Sequence, residues 1–141
     1  MTVRPCTTGD FKSILHFLNE LQGKTFDPEL LQPMFEKNIS NPANIYLVAE
    51  HYNQVVGYLS CHVQLLLHHA GLVGEVQEIF VLKEFRGKGA GKLLIDELKE
   101  IVKTRGAVQL EVTTRAIRER AIKFYKREKF EDSHKKLVYY L

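Results

Sequence analysis

Apolar positions along the chain recur with two periods, and the switches between them lay out the elements. Phe11, Ile14, Leu15, Leu18 and Leu21 fall at helical spacing, so a helix is expected from an Asp10 N-cap to about Gln22, with Gly23 ending it. Ahead of it, Val3 to Cys6 reads as a short edge strand closed by Pro5 and the polar Thr7-Thr8-Gly9. Asp27-Pro28 has the form of a second helix start, and Pro33 predicts a break that leaves two short turns and a helix before Ile39. Asn41-Pro42 interrupts the chain again.

Ile45 to Glu50 and Val55 to Leu67 read as the strands of a hairpin turning at His51-Tyr52-Asn53-Gln54. His68-His69 and Gly71 separate it from a strand at Glu75 to Leu82. A helix follows from Gly89 to about Lys103, with Leu94, Leu98, Ile101 and Val102 on its inner face. Val108 to Thr113 is a strand with Val108, Leu110 and Val112 pointing inward. A helix from about Arg118 to Glu128 buries Ala121, Ile122, Phe124 and Tyr125, and a last strand covers His134 to Tyr140. Without repeat, low-complexity tract or linker, residues 1–141 are expected to form one α/β domain.

Composition narrows the function classes. A formal charge of +3 suits a small anionic ligand and falls short of a dedicated nucleic-acid binder. Cys6 and Cys61 are too few for a disulfide scaffold and lack CxxC spacing. With no apolar signal core and no apolar run of membrane-spanning length, no membrane partner is expected and the cytoplasm is the expected location.

The chemistry concentrates between Val76 and Leu94, where a strand, a glycine-studded loop and an amphipathic helix follow one another. Unpaired amides and the helix dipole favour an anion at such a helix start, and Gly87, Gly89 and Gly91 let a phosphate approach the backbone. A dinucleotide fingerprint would need a third glycine where Lys92 stands; an ATP-type loop would need Ser or Thr where Leu93 stands. A purely structural turn is the remaining alternative.

Arg86-x-x-Gly89-x-Gly91 after a strand ending at Val81, with Leu93-Leu94 behind it, resembles the acyl-CoA pyrophosphate loop of the GNAT N-acetyltransferase superfamily. The order of elements is similar over essentially the whole chain. The resemblance implies the GNAT fold, an α/β (α+β) arrangement with a central, mostly antiparallel mixed sheet flanked by helices. It implies acetyl-CoA as co-substrate, its pyrophosphate held by the backbone of Arg86, Gly87, Lys88, Gly89, Ala90 and Gly91, with Lys88 and Lys92 adding charge. The backbone of Ile79, Phe80 and Val81 would hold the pantetheine arm, and an N–H of Ile79 or Phe80 would face the oxyanion.

Acetyl transfer from a thioester to an amine needs a neutral amine, an oxyanion donor and a proton for the thiolate. Glu78, eight residues before Arg86, stands where relatives often carry the general base; the alternative is a solvated edge glutamate. Period-2 alternation sets Glu78 opposite Gln77 and Ile79, so Glu75 is not expected to share its face. Ala121-x-x-Phe124-Tyr125-x-x-x-Lys129-Phe130 resembles the segment whose tyrosine points at the coenzyme sulfur, making Tyr125 the candidate acid. Two departures are visible: Lys129 replaces a glycine, so its turn is expected to be reshaped, and Arg115 and Arg118 lie where relatives carry cofactor-touching asparagines. Cys61, as an acyl carrier, has no relay around it and reads as a core residue.

The stretch from His62 to Glu78, and the tail around Phe124 to His134, resemble the aminoalkylphosphonate N-acetyltransferases. That resemblance implies a small primary amine bearing a phosphonate, and a divalent metal. His62, Gln64 and His68 share parity, so two imidazoles and a carboxylate could ligate such an ion, although histidines on a hairpin are more often polar surface. His68, His69, Glu75 and Arg115 are the candidate substrate-binding residues, and relatives often form homodimers. Two other functions stay open: a polyamine or protein-lysine acetyltransferase, which should carry an acidic groove, and a silent CoA-binding regulatory module, which should lack Glu78 or Tyr125.

Overall fold

Five strands form one sheet in the order β1-β2-β3-β4-β5 in a computed structural model that describes residues 1–141. They are β1 (Thr2–Pro5), β2 (Asn44–His51), β3 (Gln54–Leu66), β4 (Gly71–Val81) and β5 (Gln109–Val112). The first four run antiparallel to their neighbours, and β5 lies parallel to β4. Helices α1 (Phe11–Gln22) and α2 (Pro28–Ser40) precede the hairpin; α3 (Ala90–Thr104) and α4 (Glu119–Arg127) follow β4 and β5. No helix is long and apolar enough to cross a membrane.

The β2–β3 turn is two residues, Tyr52 and Asn53, both at positive φ (47° and 62°). That conformation matches the strand twist, and asparagine tolerates it better than most residues. It fixes the register Val48↔Tyr58 and Tyr46↔Ser60, which sorts the side chains onto two faces. Phe11, Ile14, Phe17, Phe35, Tyr46, Val48, Tyr58 and Phe80 fill the layer between the sheet and α1–α2. Leu47, Leu59, Cys61, Val76, Leu94, Ile95, Leu98 and Tyr125 fill the opposite layer, under α3 and α4.

Several expectations need correction. The helix α2 runs unbroken through Pro33. Its start is held by Pro28 at the first turn and by the Asp27 carboxylate accepting the Glu29 N–H at 2.9 Å, while Phe35 anchors it against Tyr46. One missing N–H early in a mostly exposed helix is tolerated under that anchoring. The Asp10 side chain is not spent on α1; it takes a two-pronged bond from Arg4 (2.8 Å each) and the Thr7 N–H. Val108 is 59% exposed, so only Leu110 and Val112 of that strand pack inward. β4 begins at Gly71, four residues earlier than its pattern suggested. The expected strand at His134 to Tyr140 does not form, and residues 131–141 are exposed throughout.

Candidate active site

The β3–β4 ladder carries one irregularity, and the site is built on it. Ser60 pairs with Glu78 and Cys61 with Val76, so Gln77 is a bulge residue without a partner. His62 pairs with Glu75. Because Ser60 and His62 are two apart on β3, Glu75 and Glu78 fall on the same face, the one toward α1 and α2. The extra residue cancels the parity that was expected to separate them. Gln77 swings out and donates from Nε2 to the Glu75 carboxylate at 3.0 Å.

At the same point β4 loses its other neighbour. Its pairing with β5 ends at Val76↔Val112, so beyond the bulge the β5-side edge of β4 is open. The Leu82 N–H donates to the Val56 carbonyl (2.9 Å), and bonded residues alternate along an antiparallel pair. Phe80 therefore addresses β3, whereas Ile79 and Val81 turn their N–H and C=O groups to the open edge. The Val81 carbonyl already accepts from Arg86 Nε at 2.9 Å. Of the three backbone positions assigned to the pantetheine arm, two are presented to the edge; the Phe80 ring stacks on Phe17 at 5.1 Å.

The loop beyond the strand makes a short 3-10 turn, Lys83–Phe85, and then reaches α3 through Gly87 (φ 74°) and Gly89 (φ 91°). The amides of Gly87, Gly89, Ala90, Gly91 and Lys92 find no backbone acceptor, which leaves a cluster of free donors at the positive end of a fifteen-residue helix. The three glycines act differently. Gly87 and Gly89 have open space where a Cβ would stand and supply the left-handed turns. Gly91 lies under the Phe124 ring, 3.2 Å from Cζ to the position of a Cβ, so its bareness serves the packing of α3 on α4. Lys92 is turned away from the loop, paired with Asp96 (2.9 Å) and Glu128 (3.6 Å), and Lys88 lies over the Phe85 ring at 5.6 Å.

Glu78 is the half-buried carboxylate at the head of this segment. Burial raises its pKa above the ordinary 4.5, opposed by the Ser60 hydroxyl, which donates to the carboxylate, and by the nearby His62. Ser60 also accepts the Glu78 N–H at 3.2 Å, so one serine fixes both ends of the residue. The His62 Nε2 lies 3.0 Å from the Tyr46 hydroxyl, which accepts from Asn38 at 3.0 Å. Ser60, Tyr46 and Asn38 were not picked out by sequence reasoning. The available signal was parity: Ser60 interrupts an apolar run in phase with His62, a polar pair on a face otherwise lined by aromatic rings.

Tyr125 enters from α4 in the other layer. Its ring is packed between Phe124 (5.3 Å) and Phe130 (5.6 Å), and burial pushes its hydroxyl up to about 12. The helix end that holds it is a Schellman motif: the Phe130 N–H returns to the Tyr125 carbonyl (3.0 Å) and the Lys129 N–H to that of Lys126 (3.1 Å). Lys129 adopts the left-handed φ of 74°, so the turn keeps the glycine-type conformation and is not reshaped. Arg118 anchors the preceding loop by donating to the Leu21 carbonyl at 3.0 Å.

The other candidates are scattered. His68 and His69 sit on the turn before β4, seven residues from Glu78 counted from Gly71, roughly 20 Å along a strand. Their rings meet at a tilt, centroids 4.2 Å apart, with His69 3.9 Å from Glu111. Arg115 is exposed on the β5–α4 loop. Glu75 alone of the four shares the Glu78 face. No three His, Cys, Asp or Glu side chains gather as a metal-binding group, and His62 is already engaged by Tyr46. Cys61 is fully buried, with its thiol pushed up to about 12 by burial, the opposite of an activated nucleophile.

Comparison with known proteins gives a consistent picture. The family model described as the acetyltransferase (GNAT) family matches residues 11–130. The chain is 35% identical over 132 residues to an aminoalkylphosphonate N-acetyltransferase of Salmonella typhimurium, covering 94% of this chain and 86% of that protein. Among solved structures, a transcriptional regulator from Bacillus halodurans superposes with a TM-score of 0.91 at 24% identity, covering 99% of each chain. A putative acetyltransferase from Agrobacterium tumefaciens superposes with a TM-score of 0.90 at 15% identity over the full length of both.

Proposed function

The chain belongs to the GNAT acetyltransferase family, and from that membership we propose that it acetylates the primary amine of a small, anion-bearing molecule of the aminoalkylphosphonate class by direct transfer in a ternary complex. The observation that carries the reading is the coincidence, within one segment, of an open β4 edge, five free amides and a half-buried carboxylate. Acetyl-CoA supplies the activated acetyl thioester. The residues present fit it: Gly87, Gly89, Ala90, Gly91 and Lys92 offer amides to a pyrophosphate, and Ile79 and Val81 offer an edge to the pantetheine amides. The Ile79 N–H is the donor of that edge nearest in sequence to Glu78.

Glu78 accepts the amine proton. Its raised pKa makes it a stronger base than a solvated carboxylate, and the Ser60 hydroxyl holds it in place. Tyr125 stays protonated across the neutral range. With a pKa of about 12 against roughly 8.5 for a thiol, it acts by donating a hydrogen bond to the departing sulfur, not by giving up its proton outright. The anionic substrate class is supported by the Salmonella relative and by the chain's net charge of +3, which disfavours polyamines and basic peptides. The residues gathered here do not form a three-ligand metal site, and no step is assigned to a metal.

The test is release of free thiol from acetyl-CoA with aminoalkylphosphonates, polyamines and basic peptides in parallel, with and without chelator. Turnover with the phosphonates supports the proposal. Turnover confined to polyamines or peptides overturns the substrate class, and cofactor binding without thiol release on any amine overturns the catalytic reading.

A further inference from the structure

The β5–α4 loop sends two arginines in different directions. A turn closed by the Arg118 N–H on the Arg115 carbonyl (2.9 Å) leaves Arg115 in solvent and Arg118 half-buried against α1. A guanidinium N–H of Arg118 donates to the Leu21 carbonyl at 3.0 Å, an acceptor without a backbone donor at the C-terminal end of α1. That bond spends one of five donors and leaves the charge uncompensated. The chain has two half-buried arginines. Arg4 is paired with both Asp10 and Glu50; Arg118 is paired with no carboxylate and makes no other side-chain hydrogen bond. A cation drawn partly out of water with its fork unused is a group that lacks its anion.

Its place is fixed from both layers of the fold. Arg118 is the N-cap of α4, and Tyr125 follows seven positions on, two turns along the same side of that helix. Burial raises the Tyr125 hydroxyl, and the charge that opposes the rise is that of Arg118. In the other layer, Phe17 of α1 stacks on Phe80, two residues past Glu78 on the same face of β4. Leu21 is one helical turn beyond Phe17, about 6 Å along the axis. Arg118 therefore ties the layer that packs Tyr125 to the helix that covers Glu78, beside the β4 edge that β5 leaves open.

We propose that Arg118 grips the anion of the acetyl acceptor, as a two-pronged guanidinium clasp on a phosphonate whose amine reaches Glu78. The assignment rests on the acetyl-transfer reading above and names the residue that selects the substrate within it. A planar guanidinium fork matches two oxygens of such a group. The cofactor's pyrophosphate is provided for elsewhere, by the free amides of Gly87, Gly89, Ala90, Gly91 and Lys92 at the start of α3. Arg118 instead stands by Tyr125, where the acetyl group would change hands. His68, His69 and Arg115, the cations expected in this role, lie on the far turn or in solvent. A polyamine or lysine side chain brings no anion to the clasp and meets only its charge.

Arg118→Gln keeps an N–H for the Leu21 carbonyl while removing the charge and the fork. Initial rates compare aminoethylphosphonate with ethanolamine, a similar amine without the anion. The preference in kcat/KM for the phosphonate should fall by about 30-fold or more, mostly through its KM, as when a charged hydrogen-bonded pair is broken. Arg118→Lys, which keeps the charge without the fork, should recover part of that preference. Equal losses on both amines, or a raised KM for acetyl-CoA with the preference kept, would overturn the assignment. Melting with methylphosphonate, without acetyl-CoA, reads the clasp apart from turnover. A rise in Tm that Arg118→Gln abolishes is expected; no rise in the native chain, or an equal rise in the variant, overturns the clasp. An Arg118-dependent rise with no thiol release on any amine would place the failure in the catalytic reading and leave the anion site standing.

Discussion

Glu78→Gln separates two consequences of one half-buried carboxylate. The substitution keeps the size of the side chain and leaves Ser60 a hydrogen-bond partner, but it removes the charge and the base. A positioned base contributes about 10²–10⁴ in rate. Without it the enzyme must draw on amine already neutral in solution, which for a lysine-like pKa of ~10.4 is about 0.04% at pH 7 and about 4% at pH 9. Thiol release by the variant should therefore climb about 100-fold between those two values, far more steeply than in the native enzyme. Stability should move the other way. Burial holds the Glu78 pKa above its ordinary 4.5, so from about pH 4.5 upward the folded chain binds more proton than the unfolded chain, and stability falls as pH rises through that window. Glutamine carries no such dependence. The variant should melt higher than the native chain at pH 8, with the advantage shrinking toward pH 4. A native rate at pH 7, a deficit equal at pH 7 and pH 9, or a lower melting temperature at pH 8 would each refute the assignment.

Tyr125→Phe should lower kcat about 10- to 100-fold with little change in the KM for acetyl-CoA, as steady-state thiol release will show, because the ring packing is kept and only the donor to the sulfur is lost. Gly91→Ala sets a Cβ 3.2 Å from Phe124 Cζ, so the ring must yield by a few tenths of an ångström; kcat should fall through the adjoining Tyr125, whereas Gly89→Ala, strained at φ 91° but unobstructed, should cost about 1–2 kcal/mol of stability and raise the KM for acetyl-CoA. Lys129→Gly relieves a left-handed non-glycine residue within an intact Schellman turn, and should add about 1 kcal/mol, or about 4 °C in Tm by calorimetry, with kcat unchanged.

What could be read from the chain, and what could not, divides along physical lines. The helices α1, α3 and α4 and the β2–β3 hairpin announce themselves because each has one buried face, which writes a period into the sequence. The glycine loop is legible because positive φ at Gly87 and Gly89 demands glycine. Gly91 looks identical in sequence yet answers to Phe124, a neighbour thirty-three positions on that no local pattern reveals. Pro33 shows only its local cost in the sequence, which the tertiary anchor at Phe35 outweighs. The tail from His134 carries a true strand pattern, but a strand also needs an edge to pair with, and that requirement lies outside its own residues. His62, Gln64 and His68 share parity, and parity says nothing about distance along a strand.

The bulge at Gln77 is the feature that most changes the site, and a single inserted residue has no compositional signature. Its effects run together. It brings Glu75 round to the Glu78 face, converting one carboxylate into an acidic pair on the side where α1 and α2 cover the sheet. It falls just where β5 ends at Val112, so the edge carrying Ile79 and Val81 is left open. And it sets Glu78, the proposed base, beside that opening, in the layer opposite the one that packs Tyr125. In the proposed mechanism the base and the hydrogen-bond donor approach from opposite faces of the sheet, across the gap left beside β4 where β5 ends. A thioester lying along that gap would meet Glu78 on its amine side and Tyr125 on its sulfur side. Both side chains would then act across an edge that opens at one residue, where the bulge falls and β5 ends.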